Sequence, residues 1–247
     1  MKNSKHYMIA FFLCIAAIGM SQTKKTVKPF DKVVISPHIE VTLVEGTEES
    51  VAIEKNGVAN DKVNIEVKGK TLRIYLDDAK EVTKNKTIFK NGMKQKVPIY
   101  KGTILTVTIT YRSLEELSVR GEQSTLCKSR LSQEEFKLKV YGESQVTFSD
   151  VALGFLEATI YGESTFNIEK GIIEDQKITA YGEGVVNLLK VENKTTKLRA
   201  YGEAEFKINA SEKIKITAYG DARLEYKGTA SIQKGIAMGD VDVSQID

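Results

Sequence analysis

Around a recurring glycine in the second half of the chain, apolar side chains take every second position. Two and four residues before that glycine lie Val140 and Leu138, Ile160 and Ala158, Ala180 and Ile178, Ala200 and Leu198, and Ala218 and Ile216. Four and six residues after it lie Val146 and Phe148, Phe166 and Ile168, Val186 and Leu188, Phe206 and Ile208, and Leu224 and Tyr226. Lys, Thr, Asn, Arg and Glu fill most positions between. A period of two means a β-strand with one buried face, whereas a helix would space its apolar residues by three and four.

The glycines are Gly121, Gly142, Gly162, Gly182, Gly202, Gly220 and Gly239, spaced 21, 20, 20, 20, 18 and 19 residues apart. Most sit in a Tyr-Gly-Glu or Tyr-Gly-Asp triplet, as in VYGESQVTF from residue 140 and IYGESTFNI from residue 160. Parity carried through the glycine turns it inward, together with the small residue two places on (Ser144, Ser164, Gly184, Ala204, Ala222). Two small inward positions predict an interior corner with no room for a side chain. Each unit then reads strand, corner, strand, and a looser connection such as SDVALGF or VENKTT. A meander would need a tight turn at every reversal. A 20-residue repeat of short strands in constant order predicts instead a parallel β-solenoid, with equivalent residues stacked in columns about 4.8 Å apart.

The alternation extends upstream without the triplet. It covers Val33 to Leu43, Val51 and Ile53, Val63 to Leu76, and the run ILTVTIT at 104–110. Residues 22–119 are therefore expected to form more irregular coils, and 120–247 the regular ones. Between the upstream strands, residues 77–102 hold seven lysines without sustained periodicity. This segment is expected to be an exposed loop or hairpin inserted into the irregular coils, its lysines either solvated or a patch for polyanions.

The start of the chain reads as an export signal: Lys2 and Lys5, an apolar run from Met8 to Met20, and small residues Gly19 and Ser21 at a cleavage site. The run is shorter than the roughly 20 residues of a spanning helix. Residues 1–21 are thus expected to be removed, leaving a mature chain from 22 to 247 with no transmembrane segment. Its destination is the periplasm, the cell surface or the medium. Losing Lys2 and Lys5 takes the formal charge from +3 to +1, which gives no reason to expect nucleic acid. Only Cys127 then remains, so burial and backbone pairing must hold the fold without an internal disulfide.

Three stretches resemble the head GIN domain family, auto-transporter adhesin-like proteins common in Bacteroidetes. They are FDKVVISPHIEVTLVEG near the start, TLRIYL with the later SLEELSVRGE, and the serial glycine turns closing on LEYKGTASIQKGIAMGD. Family members usually carry Ser-Gly-Ala at the turn where this chain carries Tyr-Gly-Glu. The resemblance implies a right-handed parallel β-helix on an exported protein and brings no catalytic or ligand residues with it.

Outward columns are the candidate chemistry. Tyr141, Tyr161, Tyr181, Tyr201 and Tyr219 precede the glycines, and Glu143, Glu163, Glu183 and Glu203 follow them, flanked by Glu122, Asp221 and Asp240. Rings beside carboxylates could hold a sugar chain; equally, stacked tyrosines could simply cover the corner and fix the register. Aligned acids repel, by about 0.8 kcal/mol per neighbouring pair at ~5 Å in water, less with salt. Lys137, Lys177, Lys197 and Lys215, five residues before the glycines, are placed to offset this, so no calcium is required. No cofactor is expected. Catalysis would need a local, unrepeated cluster, and acids recurring once per coil read as structure. His38 reads as a turn or surface residue, and Cys127 falls at a core position equivalent to Phe148. The function classes that remain are a binding module for a glycan or an envelope protein, a structural envelope scaffold, and, third, a polysaccharide-active β-helix.

Overall fold

The structure, a computed structural model, describes residues 23–247; the export signal expected at 1–21 lies outside the described residues. The chain forms a β-solenoid of about six turns with coils of roughly 20 residues. Its strands join one 19-stranded sheet, apart from a separate two-stranded sheet.

Each regular coil has three faces. The face before the glycine stacks Glu116–Gly121, residues 137–142, residues 157–162 and their successors in parallel register, so that Val119 pairs with Val140 and Tyr161 with Tyr181. The face after it stacks residues 124–127, residues 145–148, Thr165–Ile168, Val185–Leu188, Ala204–Asn209, Ala222–Lys227 and Val241–Gln245. The third face is where the sequence predicts a looser connection. Residues 150–156 instead pair with 130–136 on one side and 171–176 on the other, and the VENKTT segment continues the ladder. Its signal is obscured because some of its inward side chains are polar. Asn193 and Thr196 are buried, and so is Gln176. Gln176 Nε2 donates to Thr196 Oγ1 at 2.8 Å, and Thr196 Oγ1 donates to Asn193 Oδ1 at 2.6 Å. Asn193 Nδ2 in turn donates to the carbonyls of Ile173 and Glu174, one coil below. Buried polar atoms partnered in this way cost little and tie one coil to the next, although Gln176 Oε1 is buried without a partner among the described residues.

At the N-terminal end the chain order inverts. The coil made by Lys32–Ile35 and Ile39–Glu45 is flanked on one side by Glu116–Gly121 and residues 125–127. On the other side lie Thr71–Leu76 and Leu105–Tyr111, which follow it in sequence but lie outside it in space. Antiparallel strands Ser50–Asn56 and Val63–Lys68 cover that outermost coil, and Thr23–Thr26 pairs with Ser50–Asn56. Asn85–Lys90 and Met93–Pro98 form the separate hairpin, which leaves the solenoid between Leu76 and Leu105.

The corner differs from its expected geometry. The glycines stack in one column, but they lie at the outer surface rather than facing the core. Every one has a positive φ, between 89° and 131°. Three successive residues, Tyr, Gly and Glu, therefore point outward before the small buried residue resumes the inner face. A Cβ on Gly182 would approach the carbonyl oxygen of Gly162 to 3.0 Å, so the exclusion acts along the solenoid axis and not toward the core. Where no glycine is available, His38 turns the corner at φ 71°, following Pro37, which lies against Gly121.

This geometry separates two neighbouring glycines. Gly182→Ala places a side chain at φ +104° against backbone and should destabilise by about 1–3 kcal/mol. Gly184, buried and without a positive φ, would place its Cβ 3.4 Å from Ile160 Cγ2, an ordinary contact. Gly184→Ala should therefore be neutral or stabilising by up to about 1 kcal/mol, through lost freedom of the unfolded chain. Urea unfolding of both variants checks the contrast; equal losses would refute the outer-corner geometry.

Candidate functional site

The five column tyrosines stack face to face. Ring centroids lie 4.8 Å apart for Tyr141–Tyr161, 4.9 Å for Tyr161–Tyr181, 4.7 Å for Tyr181–Tyr201 and 5.1 Å for Tyr201–Tyr219, with interplanar angles of 9° or less. These distances are the strand spacing itself, since each ring stands on paired Cα positions. The Arg120 guanidinium closes the first end, 4.6 Å from the Tyr141 ring centre. Arg120 is held there by Glu81, whose carboxylate pairs with Arg120 Nη1 at 2.9 Å and with Arg73 Nη1 at 2.7 Å. At the other end Met238 follows Tyr219 in register. The ring faces are therefore taken by neighbours, and a sugar cannot stack on an interior ring. What the column offers to solvent is ring edges and phenol hydroxyls, the latter without a hydrogen-bond partner among the described residues. Partial burial, reinforced by the neighbouring phenols, holds the Tyr161 phenol above its ordinary pKa.

Beside this ladder runs the acid column, exposed throughout. Among the described residues the carboxylates of Glu143, Glu163, Glu183 and Glu203 have no ion pair and no hydrogen bond. The lysines expected to offset them are engaged elsewhere or stand apart. Lys177 binds Glu157 at 2.7 Å, which holds that carboxyl below its usual range, and Lys137, Lys197 and Lys215 make no ion pair with the column. Those lysines lie on the face before the glycine, around the corner from the acids. Toward the C-terminal end the acids Glu183, Glu203, Asp221 and Asp240 line a shallow groove together with Glu205, Asp242 and the basic Arg223. Among the described residues no three His, Cys, Asp or Glu side chains gather closely enough to hold a metal ion.

Corner serines support the ladder from within. Ser144 Oγ donates to the Gly121 carbonyl and Ser164 Oγ to the Gly142 carbonyl, each at 2.9 Å. The sequence does not reveal the task of His38. Its ring spans both ends of the inserted segment: Nδ1 donates to the Gly102 carbonyl at 2.7 Å, and Nε2 meets Thr83 Oγ1 at 2.6 Å. Its backbone N–H donates to Gln123 Oε1 at 2.7 Å. Cys127 is buried against the Tyr111 hydroxyl, and desolvation pushes its thiol up to about 11.

Two outcomes follow. Tyr181→Ala removes two ring contacts and should cost about 1–3 kcal/mol, more than Tyr219→Ala, which removes one; equal unfolding midpoints would deny the ladder any role in stability. A buried thiol raised from 9 to about 11 ionises first in the unfolded chain. Its contribution to stability is intact below pH 9 and should fall as pH rises toward 11, by a few kcal/mol at most. Thiol titration of the native protein at pH 8 should find Cys127 unreactive.

Among solved structures, the chain is similar to one named "putative adhesin" from Bacteroides fragilis, with a TM-score of 0.73 and 18% identity over 91% of this chain and 96% of that one. A second structure of that name, from Parabacteroides merdae, gives 0.65 and 17% over 92% and 96%. A "putative lipid binding protein" from Parabacteroides distasonis gives 0.62 and 15% over 93% and 98%. At these identities the likeness concerns the fold. No curated protein matches the chain. The family model described as "Putative auto-transporter adhesin, head GIN domain" matches residues 29–230, and with a solenoid that spans the same residues the chain belongs to that family.

Proposed function

We propose that this protein is an exported, non-catalytic binding module whose Tyr–Glu corner meets a repeating partner, a glycan or an envelope protein. One observation carries the reading. Unpartnered phenol hydroxyls and unpaired carboxylates stand side by side in two columns along one straight edge, repeating once per coil, while several acids on other faces, such as Glu116, Glu157 and Glu205, are paired with lysines. Such an edge offers donors and acceptors at regular intervals and no concave site. Because the ring faces are closed, recognition proceeds through hydrogen bonds to the edge rather than through stacking on it.

A non-catalytic role is supported by the distribution of reactive groups. The corner acids recur identically, both nitrogens of His38 are engaged in positioning a loop, and the Cys127 thiol is buried and protonated. The adhesin names of two similar structures agree with a binding role.

The triple change Glu163→Gln, Glu183→Gln, Glu203→Gln tests the assignment. It should leave the unfolding midpoint unchanged or slightly raised, since it removes like-charge repulsion. Capture of glycan or protein from intact envelopes should fall about ten-fold or more, as charge-assisted hydrogen bonds are lost. Undiminished capture would move the binding face elsewhere, and a wild-type protein that captures nothing would leave the envelope-scaffold reading in its place.

A further inference from the structure

The hairpin Asn85–Lys90 and Met93–Pro98 stands apart from the solenoid. It shares no backbone pairing with the large sheet, and nearly all its residues are exposed. Two strands alone are marginally stable and bury little, so a protruding pair needs a fixed base. Here the base is clamped. His38 ties Gly102 to Thr83, Lys84 N donates to the Asp78 carbonyl, and Ile99 N donates to the Lys84 carbonyl. Ala79 and Tyr100 are buried beneath it. The tip turns on Asn91 and Gly92, both with positive φ, the hallmark of a tight hairpin turn.

The tip carries two large apolar side chains in solvent, Phe89 at 72% exposure and Met93 at 63%. Cross-strand register pairs Phe89 with Lys94 and Lys90 with Met93. Since directly opposed residues share a face, Phe89 and Met93 lie on opposite faces of the hairpin. The tip is thus apolar on both sides, a wedge rather than a flat patch. Around and behind it stand Lys86, Lys90, Lys94 and Lys96, and none of these has an ion pair among the described residues. From Val82 to Gly102 the sequence contains six lysines and no acid, in a chain whose overall formal charge is only +3.

We infer that this hairpin docks the protein onto a bilayer surface bearing anionic headgroups, with Phe89 and Met93 inserted at the tip. Charge complementarity selects the anionic surface, and the two-sided apolar tip selects a bilayer over a soluble polyanion. A polyanion touches one face and has no use for exposed apolar groups on the other. A bilayer interface surrounds the inserted tip, so both faces are covered at once. Lys90 and Lys94 flank the turn and reach back toward the headgroups along their apolar stems. Lys86 and Lys96 each lie three residues behind the inserted side chains Phe89 and Met93, about 10 Å along the strands, at headgroup depth for a tip that enters by about 5–10 Å. The clamp at His38 makes the hairpin a fixed prop and not a floating tether.

The chain has no tryptophan, so a single one gives an unmixed signal. The mature protein should co-sediment with vesicles of phosphatidylcholine containing phosphatidylglycerol, and about ten-fold less with phosphatidylcholine alone. In the F89W chain, emission should shift to the blue and resist acrylamide quenching when the anionic vesicles are added. The double change Phe89→Ser, Met93→Ser and the quadruple change of Lys86, Lys90, Lys94 and Lys96 to Gln should each reduce vesicle binding about ten-fold. Neither should alter the unfolding midpoint, because the hairpin lies outside the solenoid sheet. Dextran sulfate serves as the soluble polyanion. If it binds as well as the vesicles do, while Phe89→Ser, Met93→Ser changes nothing and the F89W emission stays unshifted, the site is an electrostatic polyanion patch and the inference fails. It fails equally if no vesicle binding occurs.

Discussion

Parallel stacking in register at one strand spacing governs the molecule. Most residues in the regular coils sit directly over their equivalents in the next, so most choices of side chain are repeated against themselves. Apolar residues inside, such as Val140, Ile160 and Ala180, gain a continuous core from this arrangement. Planar rings gain stacking contacts at the strand spacing. Hydroxyls gain a carbonyl one coil away, as Ser144 and Ser164 do. Like charges gain nothing and repel, and the corner acids Glu143, Glu163, Glu183 and Glu203 carry that repulsion with no ion pair among the described residues to offset it.

The same spacing explains the glycines. With corners stacked, a Cβ at the corner position would strike the backbone of the coil below, at 2.4 Å for Gly162 over Gly142 and 2.5 Å for Gly220 over Gly202. Positive φ and the axial approach together leave no residue but glycine in the regular coils. The inverted N-terminal coils relax this demand. His38 takes a positive φ next to Pro37, the residue that lies against Gly121, and the inserted segment takes up its ring nitrogens. The inserted segment also supplies Glu81, which holds Arg120 over the first tyrosine. One segment thus terminates the aromatic ladder, braces the irregular corner and carries the projecting hairpin.

The architecture was legible because the repeat is written twice, in glycine spacing and in period-two apolar residues. Four features were not legible. The third face was hidden because Gln176, Asn193 and Thr196 point inward in one hydrogen-bonded chain, and inward polar residues look like loop in a sequence. The direction of the glycine was misread because parity assumes an extended chain, and a residue at φ above 89° is not extended. The candidate columns were readable as columns, but their chemistry was not. Period-two arithmetic places tyrosines outward without showing that each covers its neighbour's face, and it cannot show that the lysines turn to Glu157 instead of to the corner acids. The inversion of the first two passes was invisible for another reason: strands of similar composition in residues 32–45 and 71–111 carry no mark of which lies outermost.

The corner that closes each coil is also what presents it. The positive-φ turn exposes three residues in a row, and in every coil of the tyrosine ladder it sets a tyrosine on one side of the glycine and a carboxylate on the other. Their relative positions are then set by backbone pairing and require no side-chain clamps. Each such contact is weak in water, where a single exposed hydrogen bond contributes little net. Repetition changes this, because once one coil has engaged a polymer the neighbouring coils meet its next units at high effective concentration. Affinity on such an edge depends on how many coils remain in register, which links binding to the solenoid's length and to the tyrosine ladder that keeps the coils aligned. Under the proposed function the tyrosines would thus serve two ends at once: their faces hold the register, and their edges are what the register displays.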